Sequence, residues 1–213
     1  MKIAIDGPAG AGKSTIAKLV AAALGIDYLD TGAMYRAVAL QVLKGDKDPE
    51  DPVQVLETAK KAEISFMNNQ ICVQGENVGE AIRTPQVNRL VSKVAKIPEL
   101  REWMVEKQRE ISRTNDVIMD GRDIGSVVLP DADHKFYLDA SIDIRARRRY
   151  DEQPENKDGQ SLEDIKEDIR RRDAEDRNRL VGPLTIAHDA IVIDTSHMGV
   201  DEVVAMILKR IKE

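Results

Sequence analysis

Residues 7–15 of the chain read GPAGAGKST, and no other stretch restricts the possible fold so strongly. Lys2 to Asp6 before it form a short β-branched run suited to a buried strand, and Lys13 to Leu24 after it repeat apolar residues at helical spacing. The local order is therefore strand, glycine loop, helix, with Ile16, Leu19, Val20, Ala23 and Leu24 predicted as the packed face of the helix. Gly7, Gly10 and Gly12 can take backbone angles that other residues avoid. The loop Gly7, Pro8, Ala9, Gly10, Ala11, Gly12 can thus aim successive N–H groups inward, forming an anion nest at the positive end of the helix. Lys13 adds a mobile cation for β- and γ-phosphates, the Ser14 hydroxyl can ligate a magnesium ion, and Thr15 completes the motif. The plainer alternative is a glycine turn with an exposed lysine.

A strand ending in a phosphate loop calls for an α/β fold, and length and composition agree. The chain has 213 residues, 42% of them hydrophobic and 33% charged, which suits one globular domain over 1–213 with inserted parts. The single cysteine, Cys72, rules out an internal disulfide framework and reads as a small buried hydrophobe in a reducing compartment. There is no apolar run of membrane-spanning length and no signal-like start, so a cytoplasmic protein with no membrane partner is expected. A net charge of −6 argues against nucleic acid as a partner, because the phosphate backbone selects a basic surface.

Strand patterns recur at Tyr28 and Leu29, Val117 to Asp120, His134 to Asp139 and Ala190 to Asp194. Helical patterns cover 32–43, 52–62, 84–95, 99–112, 141–151, 162–179 and 200–212. This alternation predicts a parallel sheet with helices on both faces. ISFMNNQICVQGENV, residues 64–78, breaks the pattern as strand, Asn-Asn turn, strand and a further short extended piece, a small antiparallel sheet inserted into the scheme. DEQPENKDGQ, residues 151–160, reads as a solvated loop between two helices.

Three other places carry chemistry. VIMDGRDIG delivers Asp120, Arg122 and Asp123 to the end of a strand, where open α/β folds bind ligands, and Asp120 suits a direct or water-mediated magnesium contact. DTGAMYR follows the strand at Tyr28: Asp30 or Thr31 can cap the next helix, leaving Thr31 and Tyr35 one turn apart beside Arg36. The third place is the segment from Arg145 to Arg179, which holds nine of the chain's seventeen arginines and only two lysines. A planar fork grips phosphate better than a point charge does. Ile165 and Ile169 start a stripe that continues through Arg172, Asp176 and Arg179, so one face passes from core to polar. Many of these arginines read as partners of the acidic residues around them. Arg145, Arg148 and Arg149, next to the loop at 151–160, read instead as the basic end of a closing lid. His134, His188 and His197 show no metal-binding spacing, and Trp103 sits on a packed helix face.

GPAGAGKST, LDTGAMYR, the hairpin insert followed by GEAIRTPQVNRLVSKVA, then ELREW, MDGRDIGSVV, FYLDAS and RRRDAEDRNR, in this order, closely resemble the bacterial cytidylate kinases of the nucleoside monophosphate kinase family, over essentially the whole chain. The resemblance implies a phosphate-loop core, a monophosphate-binding part at about 31–112 enlarged by the small sheet, and a lid at about 148–165. It implies transfer of the γ-phosphate of ATP, with Mg2+, to CMP or dCMP. It places the acceptor's phosphate near Arg36 and Arg122 with Thr31 close by, and cytosine against Ser92, Arg101 and Asp123. Sugar or phosphate contacts fall to Arg172, Asp176 and Arg179, and Lys13, Arg122 and Arg148 are expected to neutralise the transferring group. A carboxylate and a donor such as Asp123 and Arg101 complement the N4 amino group and the N3 and O2 acceptors of cytosine. A monomer is expected. The competing readings are a small-metabolite kinase on the same scaffold, such as a shikimate or gluconate kinase, and a nucleotide-dependent switch.

Overall fold

The computed structural model describes residues 1–67, 69–152 and 161–213. The core is a five-stranded, all-parallel sheet in the order β2-β6-β1-β7-β8, built from β1 (Lys2–Asp6), β2 (Asp27–Asp30), β6 (Val117–Gly121), β7 (His134–Asp139) and β8 (Ile191–Asp194). β1 lies at the centre with β6 and β7 on its two sides, and every β6 residue is buried. Such strands need apolar side chains on both faces, which is why these runs are continuous rather than alternating. The register pairs Ile5 with Asp120 and Asp6 with Gly121, so the Asp-Gly ends of β1 and β6 lie side by side.

Helices cover the sheet. α1 (Lys13–Leu24) and α8 (Val200–Lys212) pack on one face, where Ile16, Ala17, Val20 and Ala21 meet Ile3, Ile5, Ile118, Phe136, Val203 and Ile207. This corrects the predicted face of α1. Leu19 is 42% exposed and Ala23 is exposed, because α8 approaches the Ala17 and Ala21 side of the helix and small residues there permit closer packing. The larger cluster lies on the other face, where α2 (Thr31–Lys44), α3 (Pro52–Lys61), α4 (Pro85–Val94) and α5 (Pro98–Ser112) bury Met34, Val38, Val91, Leu100 and Met104. Trp103 is partly buried against this cluster. Each of these helices starts where its sequence says it should. Asp30 accepts from the Ala33 N–H, Asp51 from Val53 and Gln54, Thr84 from Val87, and proline opens α3, α4 and α5.

The insert forms a separate antiparallel sheet of β3 (Ile64–Met67), β4 (Gln70–Val73) and β5 (Glu76–Asn77). Cys72 is buried there as a free thiol. Asn68, half of the predicted Asn-Asn turn, lies outside the described residues; Asn69 takes φ 61° and accepts the Tyr28 backbone N–H at 3.0 Å. The hairpin tip therefore touches β2, the outer strand of the main sheet.

α6 (Ile142–Asp151) and α7 (Leu162–Arg177) pack through Ala146, Ile165 and Ile169. α7 ends two residues before Arg179, so the helix predicted to 179 stops short of that arginine. Of the predicted loop at 151–160, residues 153–160 lie outside the described residues.

Arg145 is not part of a lid. It is 2% exposed, bridges Asp173 at 2.7 Å, and donates to the carbonyls of Ala9 and Ala140 at 3.0 and 2.9 Å. It ties α6 and α7 to the phosphate loop from inside. Replacing Arg145 with methionine leaves Asp173 buried without its cation, which should lower stability by about 3–5 kcal/mol in urea unfolding. The double variant R145M/D173L should recover part of that loss.

Candidate active site

The phosphate loop has the geometry its glycines predict: Gly7, Gly10 and Gly12 all take positive φ, at 148°, 80° and 86°. At Gly7 the requirement is also steric, since a Cβ would fall 2.0 Å from the Leu138 carbonyl oxygen. Lys13, 6% exposed, donates to the Pro8 carbonyl at 2.7 Å and so rests on its own loop. Burial, and after it the Arg122 cation, push its pKa down to about 7; Asp120 pulls the other way. A bound phosphate would restore the ammonium.

Asp120 closes the loop's open side. Its Oδ2 accepts from the Ser14 hydroxyl and its Oδ1 from the Tyr28 hydroxyl, both at 2.8 Å, while its backbone carbonyl accepts from Thr31 Oγ1 at 2.7 Å. Burial, then the neighbouring Asp30, raise the Asp120 carboxyl above its usual range. A hydroxyl and a carboxylate set against a phosphate nest suit a hard cation that takes oxygen ligands and keeps most of its waters. Tyr28 had escaped the sequence reading. It shares a strand face with Asp30, two residues on, and that alternation was the available signal.

Beyond Asp120 the arginines converge. Arg122 Nε donates to Asp176 Oδ2 at 2.7 Å, Arg179 Nη1 lies 3.6 Å from Asp176 Oδ1, and Arg36 Nη2 lies 3.3 Å from Asp30. Arg172 is pushed down to about 10 by burial and then by Arg122, with Arg149 and Arg36 acting in the same direction against Asp176. Arg36, Arg122, Arg149 and Arg172 therefore share one region with too few carboxylates to balance them. Buried guanidinium nitrogens with no hydrogen-bond partner in the described structure, Nε of Arg36 and Nε and Nη2 of Arg179, point the same way. This is a ready anion site.

Next to it Arg101 and Asp123 form a pair at 2.6 Å, with side chains 3% and 7% exposed. The Arg101 guanidinium lies 5.4 Å from the Tyr35 ring centroid and its Nε has no partner. The Gly182 backbone closes over the pair: a Cβ there would fall 2.0 Å from Asp123 Oδ2. Ser92 is half-buried on α4, and among the described residues no hydrogen bond joins it to the pair. Arg148 donates to Thr195 at 3.0 Å through Oγ1 and 2.6 Å through the carbonyl, with Nη1 3.9 Å from the Cβ position of Gly12. It thus lies beside the phosphate loop. Among the described residues no group of three or more His, Cys, Asp or Glu side chains could hold a metal ion.

The chain matches the family model described as cytidylate kinase over residues 3–213. A protein named cytidylate kinase from Caldanaerobacter subterraneus subsp. tengcongensis is 49% identical over 213 residues, covering 100% of this chain and 95% of its own. One of the same name from Clostridioides difficile is 50% identical over 209 residues, covering 98% and 97%. Among solved structures, a shikimate kinase from Bacteroides thetaiotaomicron superposes with a TM-score of 0.51 at 13% identity, over 100% of this chain and 99% of its own, a likeness of fold alone.

If the nest depends on the bare backbone at Gly7, the Gly7→Ala variant should lose ATP binding by more than about tenfold in calorimetric titration while the helical content stays as it was.

Proposed function

The chain belongs to the cytidylate kinase family and transfers the γ-phosphate of ATP to CMP or dCMP, and we propose how its residues divide that task. The match along the whole chain does not favour a small-metabolite kinase or a switch. The carrying observation is the pairing of a buried donor and acceptor, Arg101 and Asp123, beside an arginine cluster short of counter-charge. Gly7 to Thr15 hold the donor phosphates. Ser14 and Asp120 hold Mg2+, which when bound neutralises charge on the phosphates being transferred. Arg36 and Arg122 take the acceptor phosphate with Thr31 near by, and Arg172, Asp176 and Arg179 take sugar or phosphate. Asp123 accepts from the cytosine N4 amino group while Arg101 donates to its acceptors, with Ser92 at the base's edge. Uracil would set a carbonyl against that carboxylate, and the unpaired groups would cost its binding.

Transfer itself needs positioning and charge more than covalent help. Lys13, Arg122 and Arg148 face the phosphoryl group from different elements and neutralise the charge that spreads over it in flight. Residues at about 31–112 serve as the acceptor-binding part and those at about 148–165 as the lid, of which 153–160 lie outside the described residues. No helix of the described residues is long and apolar enough to cross a membrane. We take the enzyme to work in the cytoplasm, on the unpaired Cys72, and without nucleic acid, on the net charge of −6, with a monomer as the default assembly.

Lys13→Ala should lower turnover at least about 100-fold with the fold intact, because this cation acts mainly in the transition state. Near-normal turnover in a folded variant would mean that the loop holds phosphate for another purpose.

Two further variants separate base from phosphate. Asp123→Asn turns a pure acceptor into a group that also donates, so the CMP to UMP ratio of kcat/KM should fall by about 1–3 kcal/mol. Arg36→Ala should weaken both acceptors by similar factors, since its contact is common to them. Selectivity that moves with Arg36 and not with Asp123 would refute this division of the site.

A further inference from the structure

The Asp6 carboxylate, at the end of β1, is 3% exposed and takes two successive backbone amides across the sheet. Its Oδ1 accepts from the Ile124 N–H at 2.8 Å and its Oδ2 from the Gly125 N–H at 2.7 Å. These two amides open the π-helical turn Ile124–Val128, whose preceding residue is Asp123. Asp6 itself precedes Gly7 of the phosphate loop. One buried side chain therefore fixes the first residue of the donor loop to the turn that aims Asp123.

Two acceptors on one rigid carboxylate, each meeting one amide of the same turn, set both the height and the tilt of that turn. Asp123 makes no side-chain hydrogen bond to the start of the turn it precedes. Arg101 and the Gly182 backbone confine the tip of its side chain, and the backbone that Asp6 holds sets where that side chain starts. We propose that Asp6 is a positioning residue for base selection: by clamping the Ile124 and Gly125 amides, it holds Asp123 where cytosine and uracil are told apart. The inference rests on the assignment of Asp123 to the base.

Burial pushes the Asp6 carboxyl up to about 6 against the pull of the Gly125 and Ile124 amides; Asp123 pushes the same way as burial, and Lys13 opposes it. With the folded pKa above that of an unfolded aspartate, the folded chain favours the protonated form. Stability from this group is therefore greatest in acid and falls as pH rises through about 4 to 6. A fold that keeps the ionised clamp at neutral pH does so against its own stability, as groups held for function commonly do. The charged groups facing Asp6 are Asp123 from the turn after β6 and Lys13 from the first turn of α1. The Lys135 side chain of β7 approaches the same side of Gly125, its Cδ and Asp6 Oδ2 lying 3.2 and 3.4 Å from where a Cβ there would fall, and its ammonium is committed to the Pro130 carbonyl and Asp189.

Protonation turns one acceptor into a donor that faces an amide donor, and Asp6→Asn does the same permanently at nearly constant shape. The experiment measures kcat/KM for CMP and for UMP in wild type, Asp6→Asn and Asp123→Asn at neutral pH, and repeats wild type and Asp6→Asn from about pH 5.5 to about pH 8, above the protonation of cytosine N3, which CMP alone undergoes. The second ionisation of the acceptor phosphate and the titration of Lys13 are common to both acceptors and cancel in the ratio. The CMP to UMP ratio should fall about tenfold in Asp6→Asn, mainly through a raised KM for CMP, with the KM for ATP changed by less than about twofold. In wild type the ratio should drop as pH falls through about 6, and in Asp6→Asn it should be flat. A ratio that falls in Asp123→Asn but not in Asp6→Asn overturns the positioning role and leaves the base assignment standing. A ratio unmoved in Asp123→Asn overturns that assignment and the inference with it. An Asp6→Asn enzyme that keeps the wild-type pH slope also overturns the proposal, because the slope then belongs to another group. Should Asp6→Asn fail to fold, the wild-type profile decides, and a flat ratio across the range refutes the role.

Discussion

The site depends on one carboxylate at the end of the most buried strand. Asp120 holds the Ser14 hydroxyl of the phosphate loop, the Tyr28 hydroxyl of β2 and, through its backbone carbonyl, the Thr31 hydroxyl that opens α2. Ser14, Tyr28 and Thr31 thereby meet, at a single point, a residue 106, 92 and 89 positions further along the chain. In a parallel sheet the carboxyl ends of the strands lie along one edge, and the polar groups gathered there are buried from behind and open only toward the ligand. Displacing Asp120 would move the loop, β2 and the start of α2 together.

Around that point the electrostatics are arranged for a guest. Burial, and after it the neighbouring arginines, push Arg172 down to about 10, and several buried guanidinium nitrogens have no partner in the described structure. Asp176 relieves this only in part, through Arg122 and Arg179. Buried cations without partners are costly, and an anionic guest would convert that cost into binding. The same economy applies at Lys13, which rests on the Pro8 carbonyl.

The strand-loop-helix reading of residues 2–24, the parallel core and the hairpin insert were legible because each has a local signature: glycine spacing, β-branched runs, turn residues. β1, β7 and α8 begin and end where the pattern placed them. What the sequence hid is what depends on distance along the chain. Asp6 binds amides 118 and 119 positions away, Tyr28 reaches Asp120 across 92, and Arg145 reaches Ala9 across 136. No window of neighbouring residues contains such pairs. Arg145 looked like lid because it shares a basic run with Arg148 and Arg149; only the packing of α6 on α7 turns it inward. The Asp-Gly pair that ends both β1 and β6 was a visible hint to Asp6, but it needed the register of the two strands to become meaningful.

The contact between Asn69 and the Tyr28 amide has a bearing on how the chain behaves among its own copies. β2 forms one border of the sheet, and an unpaired amide on a border strand is an invitation to edge-on pairing with another polypeptide. Here the tip of the insert occupies that amide from within the same chain. The tip of the insert therefore works as a guard rail as well, leaving one fewer donor open at that border to another copy of the chain.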